Sequence, residues 1–331
     1  MTSDTTVRFS REGNTLTLYH PLIAAEWRWN DQGRIDFTRF DHTATGASWL
    51  TTEPPEPLFQ LGVDGYGGNV HHFGPNRAVS AGEIVDVQVN TVEPRGCTGA
   101  SITIDLATAP QGAGDEWHPA PLTVTWHVQA HPDHPVIRQW FEVTNTADET
   151  LTITRLPVLL ATLAGTSAGL TAHSGLDRRQ RLREGEGSDW LTWNVLPLGP
   201  GVTGSFESGY RRTATWLGLT SAEGGAGLFA GWESNAAGRC EYGDLHGFGD
   251  CGIDVWLEPQ YRLDPGATLT GPAAFLGAAD GDLDELSYRC HRFVEDVIAR
   301  PMPDDERFPY IAFNSWGYGD RIDDASMRRC F

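Results

Sequence analysis

At 331 residues the chain is long enough for about two domains. With 40% hydrophobic and 21% charged residues it has the apolar content to build a buried core. The formal net charge of −20 argues against nucleic acid or an anionic membrane as partner, because binding phosphate needs a local excess of cations. Every basic side chain apart from histidine is Arg and none is Lys, so Schiff-base and P-loop lysine chemistry are excluded.

Residues 1–10 show no apolar h-region, and no stretch of about 18 apolar residues occurs anywhere. The five cysteines (Cys97, Cys240, Cys251, Cys290, Cys330) are widely spaced with no C-x-x-C pair. That pattern fits reduced thiols better than a disulfide framework or a zinc site, although Cys240 and Cys251 could face each other across a hairpin. A cytoplasmic location is the expectation.

Period-two alternation dominates the first 278 residues. Trp27 and Trp29 fall on one face of a strand, and the plain reading of both, as of Trp190 and Trp193, is sandwich core or an interface with a further domain. Asn30-Asp-Gln-Gly33 marks a turn. Gly62-Val-Asp-Gly-Tyr-Gly-Gly68 lacks the strand–helix context of a dinucleotide fingerprint and reads as a surface loop. Val85, Val87 and Val89 alternate with polar residues; so do Ile102, Ile104 and Leu106, then Leu122, Val124, Trp126 and Val128, then Ile253, Val255 and Leu257. Each such segment is expected to bury one face and wet the other. Asn145-Thr-Ala-Asp148 and Asp264-Pro-Gly266 are further turn signals. Many short strands punctuated by Gly and Pro predict a large antiparallel double-sheet sandwich.

Near residue 280 the period changes. Leu283, Leu286, Cys290, Phe293, Val294, Val297 and Ile298 form one helical stripe, with Asp282 at the N-cap and Glu285 placed as in a capping box. Pro301 and Pro303 stop the helix. Tyr310-Ile-Ala-Phe-Asn-Ser315 is apolar without alternation, as in parallel strands covered on both faces, and Asp323 or Asp324 could cap a following helix. One βα unit cannot bury itself. The expectation is a front portion of a longer protein, divided into residues 1–279 (sandwich), 280–307 (linking helix and linker) and 308–331 (start of a parallel β/α domain).

Few side chains single themselves out chemically. Glu26, Glu142, Glu233 and Glu258 lie on or near strands, where solvated faces account for them, so no catalytic carboxylate is assigned. His71-His72 and His131-Pro-Asp-His134 lack the ligand density of a zinc site, and the latter pair reads as hydrogen-bonding turn residues. Arg178-Arg-Gln-Arg-Leu-Arg183, followed by Glu184 and Glu186, reads as a solvated loop. No metal and no cofactor is expected. Trp316 follows the C-terminal end of the apolar strand, where barrel active sites assemble, and aromatic rings stack on sugars.

Five segments in this order resemble the N-terminal region of glycoside hydrolase family 36, the α-galactosidase type. They are His134-Pro-Val-Ile-Arg-Gln-Trp-Phe-Glu-Val-Thr-Asn145 with Thr150–Arg155, Gly224-Gly-Ala-Gly-Leu-Phe-Ala-Gly-Trp232, Leu263–Phe275, the helix through Cys290-His-Arg-Phe-Val294, and Phe308-Pro-Tyr-Ile-Ala-Phe-Asn-Ser-Trp316. The resemblance implies a mainly β fold: a large antiparallel β-supersandwich, a linking helix and the first βα unit of a truncated (β/α)8 barrel. It implies retaining hydrolysis of terminal α-linked galactosides, with both catalytic Asp residues beyond Phe331. It places Trp316 in the sugar pocket with Asn314 beside it. Where the family often has an acidic residue after that Trp, this chain has Gly317, and another α-linked sugar stays open. The implied partner is an oligosaccharide or glycoside, and the family's sandwiches often take part in oligomer contacts, so a homo-oligomer is a further expectation. The alternative is a stand-alone carbohydrate-binding or oligomerisation β-sandwich without catalytic activity.

Overall fold

The computed structural model describes residues 7–31, 33–50, 57–66, 68–69, 77–108, 119–166, 169–175, 193–207, 215–221, 224–234, 238–245 and 250–299. Strands come first. β1 (Arg8–Glu12), β2 (Thr15–Tyr19), β3 (Ile23–Trp29), β4 (Ile35–His42) and β5 (Ala47–Ser48) pair in sequence order as a five-stranded antiparallel meander. Alternation sends Leu16, Leu18, Ile23, Ala25, Trp27, Trp29 and Phe37 inward, and Trp27 stacks on Phe37 at 4.9 Å. Trp27 and Trp29 are core residues, 0% and 6% exposed. The turn at Asn30–Gly33 forms as expected, with Gly33 N–H donating to Asn30 O. Gly33 has φ +68°, and a Cβ there would lie 1.5 Å from the Gly82 carbonyl oxygen, so the meander closes onto the next strands at a point only glycine fits.

β6 (Gly62–Val63), β7 (Gly68–Asn69) and β8 (Arg77–Ala78) are short. The expected surface loop at Gly62–Gly68 is therefore only partly a loop. Gly62 and Val63 are buried and pair with Arg155 and Ile153, because the glycine lets β6 lie against the Thr154 and Arg155 side chains. Gly67 lies outside the described residues.

β9 (Glu83–Val92), β10 (Thr98–Asp105), β11 (Leu122–Ala130) and β12 (Val136–Asn145) form a second meander. It is continued by β13 (Leu151–Thr166), β14 (Leu170–Gly175), β15 (Trp193–Pro197), β16 (Thr203–Glu207), β17 (Trp216–Ser221), β18 (Ala226–Trp232), β19 (Gly238–Gly243), β20 (Asp250–Leu257), β21 (Tyr261–Leu263), β22 (Thr268–Thr270) and β23 (Ala274–Asp280). A ten-stranded sheet runs β15-β14-β17-β18-β23-β12-β11-β10-β9, with β22 on β12. A six-stranded sheet runs β16-β19-β20-β13-β21, with β6 on β13. All the named pairs are antiparallel, and one apolar cluster joins the meander to both sheets.

β11 buries Leu122, Val124, Trp126 and Val128 as the alternation predicts. β9 departs from it. Asn90 and Val85 are extra residues against β10, so the strand carries two bulges that re-aim its side chains. Ile84 and Val87 pack on the core, while Val85 and Val89 are 53% and 37% exposed. β20 departs in the other sense, since Asp254 and Trp256, on the face expected to be wet, are buried. Arg155 Nη2 lies 2.8 and 2.7 Å from the two Asp254 oxygens, and its guanidinium sits 4.2 Å over the Trp256 ring.

A buried amide ties the sheets together. Pro157 cannot donate to a ladder, and β13 bulges between Pro157 and Leu159. The carbonyl of the extra residue, Val158, accepts from Gln139 Nε2 at 3.1 Å, and Gln139 Oε1 accepts from Trp126 Nε1 at 3.4 Å.

After β23 comes α1 (Leu283–Phe293), then a π turn (Val294–Ile298). The Asp282 side chain accepts from the Asp284 and Glu285 N–H groups, as an N-cap should. Glu285 does not complete a capping box; its carboxylate accepts from Arg289 Nε at 2.6 Å, one turn on. Of the expected stripe, Leu286, Cys290 and Phe293 are buried, and the π turn buries nothing. Pro301 and Pro303 lie outside the described residues. The chain divides into two compact units, Met1–Val297 and Ile298–Phe331, and only Ile298 and Ala299 of the second are described. The start of a barrel expected at 308–331 falls outside them.

Candidate functional site

Trp316 and Asn314 lie outside the described residues, as do His71, His72, Arg178–Arg183, Trp190 and the Trp193 side chain. Among the described residues, polar and aromatic side chains concentrate on the outward face of the ten-stranded sheet, around the seat of α1.

Glycines make that seat. α1 lies over β17, β18 and β23. On β18 the residues pointing away from the core are Gly227, Phe229 and Gly231. A Cβ on Gly227 would come within 2.8 Å of Leu286 Cδ1, and one on Gly231 within 2.4 Å of the Phe275 ring. The missing side chains leave room for Leu286, Phe275 and Phe293, whose rings and methyls close a small apolar cluster under the helix, with Phe275 and Phe293 centroids 5.6 Å apart. The glycine-rich segment 224–232 is thus a helix seat.

Beside it, Arg138 on β12 grips Glu233 just past β18: Nε and Nη2 donate to the two carboxylate oxygens at 2.5 and 2.7 Å. The Arg138 guanidinium also lies 5.2 Å from the centroid of Trp140, its neighbour two residues along the same face. Across the ladder His127 stacks on Trp140 at 4.8 Å and 5°, and His127 Nε2 is 3.5 Å from Glu142. At the far end of β12, Asn145 Nδ2 donates to the Glu149 and Leu263 carbonyls at 2.7 and 2.8 Å, closing the β12–β13 turn. The spacing Arg138…Asn145 noted in the sequence therefore anchors both ends of one strand.

The four glutamates are less solvated than expected. Glu233 and Glu26 are paired with Arg138 and Arg28, with side chains 18% and 17% exposed. Glu258 accepts from Trp256 Nε1 at 3.0 Å. Their cationic and N–H partners sit on the same strands, a signal that alternation alone does not carry. Retaining glycoside hydrolysis needs two carboxyls about 5–5.5 Å apart flanking a sugar. These glutamates are instead spent on holding strands.

The second cluster lies at the exit of α1. His134, 5% exposed, meets Phe293 edge-on at 5.8 Å and His131 at 5.0 Å. Its Nε2 is 3.2 Å from Asp296 Oδ2. His131 makes the turn bonds expected of it, accepting at Nδ1 from Asp133 N–H. His134, expected as a turn residue, is instead a buried part of the helix contact. Burial lowers the pKa of His134, and the neighbouring His131 lowers it further, against Asp296 and Asp133. Cys97, Cys240, Cys251 and Cys290 are buried and in no disulfide. Burial pushes the Cys97 thiol up to about 11 and Cys290 to about 12, far from reactive thiolates. Among the described residues no three His, Cys, Asp or Glu side chains group to hold a metal ion, and no helix is long and apolar enough to cross a membrane.

No protein-family model matches the sequence, and no curated protein is significantly similar to it. Solved structures do match in fold. The family-36 α-galactosidase AgaB from Geobacillus stearothermophilus superposes with a TM-score of 0.64 at 12% identity, over 90% of this chain and 44% of that one. The galactosidase domain of the α-galactosidase–sucrose kinase AgaSK gives 0.61 at 13%, over 89% and 46%. An α-galactosidase from Lactobacillus brevis gives 0.61 at 12%, over 85% and 42%. The chain spans less than half the length of these structures. Its fold is that of the N-terminal region of family-36 α-galactosidases.

Proposed function

We propose that the chain is the accessory portion of a glycoside hydrolase resembling retaining α-galactosidases, and that it does not itself carry the catalytic carboxylates. The observation that supports this most is the continuity of fold, since supersandwich and linking helix together match family-36 α-galactosidases over 85–90% of the chain. The described glutamates fit such a role, being paired within the sheets. Structures of the related AgaA variants hold raffinose and stachyose. We take α-galactosyl oligosaccharides as the substrate class, reached through a (β/α)8 barrel in which Trp316 lines the sugar pocket beside Asn314. The buried, unbridged thiols support a cytoplasmic setting.

The test is hydrolysis of an aryl α-galactoside by the 331-residue chain, with its cooperative melt checked first. The expected result is a folded protein without turnover. Turnover well above background by this chain overturns the accessory reading. Raffinose binding by calorimetry, tight and without turnover, would favour the carbohydrate-binding alternative instead.

A further inference from the structure

We propose that the exit of α1 is a proton-sensitive latch, in which a cluster of neutral histidines on the sandwich holds the π turn until the pH falls below the ordinary histidine range. The turn has little else to hold it. Val294–Ile298 buries no residue. Its contacts to the sandwich run through Asp296, whose carbonyl accepts from Arg95 Nη1 at 3.3 Å and whose carboxylate faces His134.

The receiving surface is built from three imidazoles. His20, in the β2–β3 connection, is 8% exposed and has both nitrogens committed: Nδ1 accepts from Leu22 N–H at 3.0 Å, so Nε2 carries the proton and donates to the His131 carbonyl at 2.8 Å. A second proton on His20 would set an N–H against the Leu22 N–H. His131 stands between His20 and His134, and a Cβ on Gly96 would lie 3.9 Å from its Nε2. The charged groups facing the cluster are Asp133 in the same turn, Asp296 and Arg292 from the helix side, and Arg95 from the 94–96 turn. Asp296 offers little to a charged His134. It is already shared by Arg292, whose Nη2 lies 3.1 Å from Oδ2, and it is partly exposed.

The sign follows from these contacts. Burial lowers the folded-state pKa of both His20 and His134, with His131 acting in the same sense on each. A base with a lowered folded pKa contributes its full stability above the unfolded value near 6.5 and loses it as the pH falls toward the folded value. The docked exit is therefore secure at neutral pH and loosens in mild acid. The arrangement serves to couple the compartment's pH to the geometry of whatever follows the helix.

Amide hydrogen exchange of the full chain, corrected for intrinsic rates, reads this directly. Between pH 7.5 and 5.5, exchange at 294–298 should rise roughly tenfold relative to 286–290. In the His20→Gln/His134→Gln double variant that ratio should stay flat with pH. A flat ratio in the wild type, or an unchanged response in the double variant, overturns the latch. Independently of any variant, an NMR titration placing His134 at or above 6.5 also overturns it.

Discussion

Asn90 shows what a single residue decides in this fold. It is one of the two extra residues of β9, with φ +57°, a left-handed conformation that asparagine tolerates better than most side chains. From there its amide mimics a strand. Phe9 N–H donates to Oδ1 at 2.7 Å and Nδ2 donates to the Phe9 carbonyl at 2.9 Å, linking the first meander to the ten-stranded sheet. Asn90→Gly keeps the backbone and loses the two bonds, for an expected cost of about 1–2 kcal/mol; Asn90→Ala adds conformational strain and should cost about 1 kcal/mol more. Urea midpoints of the two variants measure the difference, and equal midpoints would remove the strain argument. None of this was legible in the sequence, where Asn90 is one polar residue in a valine-rich alternation. The register slip that puts it at the joint is imposed by β10. Asp254 is similar: next to Ile253 and Val255 it reads as solvated, and its burial depends on Arg155, about a hundred residues away.

At the scale of elements, the local signals were reliable where one partner decides the outcome. β11, the turns at Asn30, Asn145 and Asp264, and the Asp282 cap form where the residues place them. Signals failed where two partners compete. Glu285 could have capped, but Arg289 one turn away takes its carboxylate. The seat of α1 was visible only as a run of glycines, because nothing local says that Gly227 lies under Leu286. Gly227→Ala should push the helix outward and cost about 1–3 kcal/mol through overpacking. The discriminating measurement is local: amides of α1 should lose protection while those of β11 keep it. Equal loss throughout would mean that helix and sheet open only together.

For the whole molecule, the first meander and both large sheets share one apolar cluster. Gly33 against Gly82, and Asn90 against Phe9, are the contact points that leave no gap between them. Unfolding of residues 1–299 should accordingly be a single transition, with tryptophan fluorescence and far-UV circular dichroism superimposing in urea. Two separated transitions would make the meander an independent unit. The architecture as a class was readable from period and punctuation, since alternation, Gly and Pro imply antiparallel sheets whatever their order. The order of strands was not, because β13 runs 16 residues and trades partners from β21 and β6 to β20 along its length. Trp316 and Asn314 stay tied to the family resemblance, as no described contact reaches them.

The two surplus residues of β9 reach beyond their own strand. β9 ends the ten-stranded sheet, and a straight ten-residue border rich in valine would be a template for adding chain after chain. Kinked at Val85 and again at Asn90, that border offers no long run of evenly spaced amides to a newcomer. The same irregularities that spoil the hydrophobic rhythm keep the sheet finite and protect the protein from fibrous self-association.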